Sequence, residues 1–139
     1  MCLFVYLVTD SDLPEIEWRK AQPAFNVVRL KRKEKFLESL QGTNAYMLGS
    51  YEGCGCGFML DDSADPEDRV ASQTSLEKLS EYVADALGRE GRLFLFAAWD
   101  GDERKDPARA RVRPPDLQGY PWGETWDSPH LIEVVADPT

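Results

Sequence analysis

The stretch Leu93-Phe94-Leu95-Phe96-Ala97-Ala98-Trp99 contains no charged residue, and it lies between Arg92 and Asp100-Gly101-Asp102. A short, aromatic-rich run that is continuously apolar rather than alternating predicts a strand buried on both faces. Immediately upstream, Leu76, Leu79, Val83, Ala86 and Leu87 recur at helical spacing. Thr74 and Glu77 read as a capping box for this helix and Gly88 as its stop. A second continuous apolar run, Cys2-Leu3-Phe4-Val5-Tyr6-Leu7-Val8, predicts another central strand. Two central strands with helices between them predict an α+β or α/β fold. The expected form is a single-domain layer sandwich, with a mixed sheet of about five strands and roughly two helices.

Weaker signals fill in the rest. Phe25-Asn26-Val27-Val28-Arg29-Leu30 reads as a strand, and residues 45–50 as another. Residues 32–40 place Phe36, Leu37 and Leu40 on one helical face, with Gly42 as the stop. Phe58-Met59-Leu60 is expected to return as a hairpin partner, and residues 61–69 as an acidic loop around Pro66. Leu131-Ile132-Glu133-Val134-Val135 predicts a closing edge strand. Residues 100–129 form an irregular, loop-rich segment, which is long for a compact domain and implies a hidden element or a functional flap. Neither a repeat nor a composition break divides the chain, so residues 1–139 are expected to form a single globular domain.

With 16 Lys and Arg against 25 Asp and Glu, the net charge is −9. That excess works against sequence-independent nucleic-acid binding, where neutralised phosphates supply the affinity, and against anionic membrane surfaces. Nothing approaches the roughly 18 apolar residues of a membrane span. The apolar start lacks a basic leader region and a cleavage site, and three cysteines are an odd number. Together these predict an acidic cytoplasmic protein in a reducing compartment.

Chemistry concentrates in Gly53-Cys54-Gly55-Cys56-Gly57. In an extended chain the two thiols fall on one face, and flanking glycines let a ligand approach. The chain's other thiol is Cys2 and its single imidazole is His130. Zinc takes four tetrahedral ligands, commonly three or four of them cysteines. Cys2, Cys54, Cys56 and His130 are therefore the candidate ligands for zinc or another soft metal, structural or regulatory, with Asp100 as a substitute carboxylate.

Other readings stand beside this one. Cys54 and Cys56 can act as a thiol–disulfide redox pair, which requires a lowered thiol pKa. Removal of Met1 would leave Cys2 with both amine and thiol. Met1-Cys2 resembles the start of amidotransferases with an N-terminal cysteine, although Leu3 replaces their glycine. The structural alternative is a tight glycine turn with cysteines behaving as small hydrophobes.

Asp10 and Asp12 after the first strand, with Asp100, Asp102 and Glu103 after the later one, would meet in a Mg²⁺ site if those strands were parallel. A non-catalytic interaction role would use the basic run Arg29, Lys31, Arg32, Lys33 and Lys35, or the aromatics Tyr120, Trp122 and Trp126, to hold a protein partner or a second copy. No catalytic residue is assigned, because one histidine and no nucleophile elbow leave no defensible triad.

Overall fold

The computed structural model describes residues 2–21, 24–38, 40, 42–59, 65–90 and 92–136. Six strands form one mixed sheet: β1 (Leu3–Thr9), β2 (Asn26–Arg29), β3 (Asn44–Gly49), β4 (Arg92–Trp99), β5 (Ala108–Val112) and β6 (His130–Val135). Among the described residues a single α-helix, α1 (Pro66–Glu90), accompanies three short 3-10 helices at Lys35–Leu37, Gly55–Phe58 and Pro114–Gly119. The fold is α+β.

Strand order is β2-β3-β1-β4-β6-β5, and every neighbouring pair is antiparallel except β5 with β6. The two continuously apolar runs are adjacent, with Leu3 opposite Trp99 and Val8 opposite Phe94. They sit centrally because both of their faces are covered. Leu3, Val5 and Leu7 face α1, while Tyr6 and Val8 belong to a second cluster with Leu37, Ala45, Phe96 and Leu131 on the opposite face.

The predicted apolar stripe Leu76, Leu79, Val83, Ala86 and Leu87 is the buried face of α1. Each larger side chain of that stripe contributes roughly 1.5–3 kcal/mol on full burial. Buried serines tie the helix to its surroundings: Ser75 Oγ donates to Ala24 O at 2.6 Å, and Ser80 Oγ to Pro114 O at 2.9 Å.

Several local expectations change. Helix α1 begins at Pro66, eight residues before Thr74. Proline fits the first helical position, where its missing N–H is not needed, and Glu67 and Asp68 suit the positive end of the helix dipole. Thr74 is not a cap, since its hydroxyl donates to Val70 O at 3.0 Å inside the helix. Among the described residues of 32–40 the helical part is a 3-10 turn at Lys35–Leu37, which lays Phe36 and Leu37 over the second face. Phe58 belongs to a 3-10 helix rather than a hairpin strand; the expected partner residue Leu60 and residues 61–64 of the acidic loop lie outside the described residues. β6 is internal, because β5 pairs alongside it and supplies the sheet edge. Within residues 100–129 the structure therefore holds both β5 and the 3-10 helix Pro114–Gly119.

Candidate metal centre

The segment after β3 is organised by Ser50, which is fully buried. A hydroxyl offers one donor and two acceptor sites, and here all three are used. Ser50 Oγ donates to Cys54 O at 2.5 Å and accepts from Gly57 N at 3.0 Å and Glu52 N at 3.2 Å. Ser50 N adds a bond to Cys54 O at 2.8 Å. Gly53 completes the turn with a φ of 90°, a conformation open to glycine at little cost.

The loop then closes onto β1. A Cβ at Gly55 would lie 2.8 Å from Leu3 O and 2.9 Å from Val5 Cγ2, so this position admits no side chain without displacement. Close approach to the strand gives the middle glycine its structural purpose. The backbone amide of Leu3 donates to Cys56 Sγ at 3.2 Å. On the other side of the strand start, Asp100 N donates to Cys2 O at 2.9 Å. Cys2 is thereby held at the same end of β1 as the Cys54–Cys56 loop.

The result is a cluster of three thiols, Cys2, Cys54 and Cys56, with sulfur atoms all within 4.8 Å of one another and none in a disulfide. Three points so spaced fit in a circle of radius about 2.8 Å, and Zn–S bonds are about 2.3 Å. Shifts of at most roughly 0.5 Å per sulfur would bring all three into bonding range, within ordinary rotamer adjustment. Cys54 and Cys56 are half-buried and Cys2 is exposed. Burial pushes the Cys54 thiol above its ordinary pKa.

His130 is not part of this group. It starts β6, paired with Ala97, and its ring stacks on Trp126 with centroids 3.6 Å apart and planes 11° apart. Its Nδ1 lies 2.6 Å from the Tyr120 hydroxyl. Burial holds the Tyr120 phenol up at about 12, so the phenol keeps its proton in this contact. Burial also lowers the His130 pKa. The ring is thus held between the Tyr120 hydroxyl and the Trp126 indole, away from the thiol group. Asp100 reaches the cluster through its backbone; its carboxylate is not among the mutually close ligand atoms.

The other candidate groups are dispersed. Antiparallel pairing of β1 and β4 puts Asp10 and Asp12 at the opposite end of the sheet from Asp100, Asp102 and Glu103. The carboxylates therefore do not converge, and the condition for the Mg²⁺ site is not met. In the basic run, Arg29 bonds Asp12 at 2.9 Å and Asn44 at 2.7 Å. Lys33 Nζ donates to the carbonyls of Leu40 and Gly42. Trp122 is buried against Phe58 and donates its indole N–H to Leu117 O at 2.9 Å, so the aromatic segment folds back as core.

Sequence reasoning missed Ser50 and the Leu3 amide as supports of the thiol cluster. Neither carries a local signal, since their partners are set by how the loop meets β1. Comparison with protein-family models, with curated proteins and with solved structures found no match. Function must therefore be argued from the site itself.

Proposed function

We propose that this chain is a small metal-binding protein in which Cys2, Cys54 and Cys56 hold one soft ion, zinc in the first instance, in a structural or regulatory role within a reducing compartment. The observation that carries this reading is the convergence of three sulfurs, two of them from one tight loop and one from the residue just before β1, about fifty residues away. Thiolates are soft donors suited to zinc and cuprous ions. The N–H···S bond from Leu3 to Cys56 is the kind of outer contact that orients a sulfur ligand.

Thiol–disulfide exchange is the second reading of the same residues. It calls for a thiol of lowered pKa, whereas burial raises that of Cys54. The interaction reading is weakened by the burial of Trp122. Metal content decides among these. Replacing Cys54 by serine should cut bound zinc several-fold in protein purified without chelator, and lower thermal stability with it. Unchanged metal content in that variant would overturn the proposal.

A further inference from the structure

We infer that an ion held at this site keeps one coordination position open to solvent, and that the position takes a low-molecular-weight thiol from outside the chain. The inference rests on the metal-binding reading. Among the described residues the mutually close ligand group stops at three sulfurs, one short of a closed tetrahedral site. The single imidazole is engaged by Tyr120 and Trp126. Gly55, between the two loop cysteines, packs against Leu3 and Val5, whereas Cys2 is exposed to solvent. Three protein ligands with an open position is the arrangement that admits an exchangeable fourth ligand.

The donor set selects that ligand's chemistry. Three thiolates place substantial negative charge on the ion, so a bound water is acidified far less than on an all-imidazole zinc, and hydrolytic chemistry is disfavoured. A soft centre prefers a soft donor, which a thiolate provides. The step is a ligand substitution: the metal–water bond breaks, a metal–sulfur bond forms, and the thiol proton passes to solvent, with no change of oxidation state.

The surroundings refine the choice further. Zinc with three thiolates carries one net negative charge. Exposed Asp100 is bonded through its backbone to Cys2, and exposed Glu52 stands two residues before Cys54. A cationic thiol such as cysteamine is therefore favoured over an anionic one such as glutathione.

The test uses the full-length chain loaded with cobalt(II), whose sulfur-to-metal charge-transfer and visible bands report the fourth ligand. Cysteamine, 2-mercaptoethanol and glutathione are titrated separately, with the Cys54→Ser variant as the blank. The expected result is a saturable band shift at one thiol per cobalt, with cysteamine half-saturating at a concentration on the order of tenfold lower than glutathione. Cobalt that binds but whose bands ignore a hundredfold excess of every thiol means a closed fourth position, filled for instance by Asp100. That outcome overturns this inference and leaves the metal site standing. Failure of the wild-type chain to take up cobalt, zinc or cadmium overturns both.

Discussion

The hydroxyl of Ser50 satisfies three backbone groups of the cysteine loop at once, those of Cys54, Gly57 and Glu52. Replacing it with alanine removes all three contacts, the bond to the buried Gly57 N–H among them, at a cost of about 2 kcal/mol. Because those contacts hold the loop in shape, Ser50→Ala should lose metal as well as stability. Chemical denaturation and metal analysis on the same sample check this, and a variant that loses stability yet keeps full metal content would separate the loop from the site.

His130 supports a prediction of a different kind. Its pKa is depressed in the folded state, so the neutral ring contributes stability above its unfolded value near 6.5. Between the two values the unfolded chain binds more protons, so that contribution fades as pH falls below 6.5 and through the folded pKa. His130→Phe keeps an aromatic ring against Trp126 but cannot titrate. Its urea midpoint should fall less steeply than that of wild type between pH 7 and pH 5. Parallel slopes would remove the histidine from the pH response.

At the scale of elements, α1 shows how a local signal misleads. Thr74 and Glu77 have the spacing of a capping box, yet Thr74 sits one-third of the way along a helix that starts at Pro66. A lost cap would cost about 1 kcal/mol. Thr74→Ala should instead change stability by less than about 0.5 kcal/mol, because alanine is the better helix former and the lost bond to Val70 is internal. Urea denaturation resolves the two values.

The helical stripe was legible because 3.6-residue periodicity is a local property of the chain. The pairing of β5 was not. Ala-Arg-Ala-Arg-Val is short and charged, and it becomes a strand through its parallel register with β6, Ala108 opposite His130 and Val112 opposite Val134. Tertiary pairing overrode weak propensity there.

Across the whole molecule, the thiol cluster joins the start of β1 to the loop after β3, so an ion bound there cross-links segments far apart in sequence. Anything that binds the folded chain and not the unfolded one raises stability by mass action, about 2.7 kcal/mol at a ligand concentration a hundredfold above Kd. For a chain of this length that corresponds to a rise in Tm of about 10 °C. Zinc added to chelator-stripped protein under reducing conditions should produce a shift of that order, reversed by chelator. A Tm indifferent to zinc would mean that no ion bridges the two segments.

The sequence alone determined which segments are central strands and where the buried face of α1 lies, because burial pattern and helical period are carried by neighbouring residues. The three cysteines were legible as a set from their scarcity. Tertiary structure decided that β1 and β4 are antiparallel, which separates Asp10 and Asp12 from Asp100, Asp102 and Glu103 and brings Asp100 beside Cys2 instead. It also decided that His130 belongs with Tyr120 and Trp126, while Cys2 belongs with Cys54 and Cys56. Strand direction and the meeting of distant side chains depend on how the layers pack, and no window along the chain contains that information.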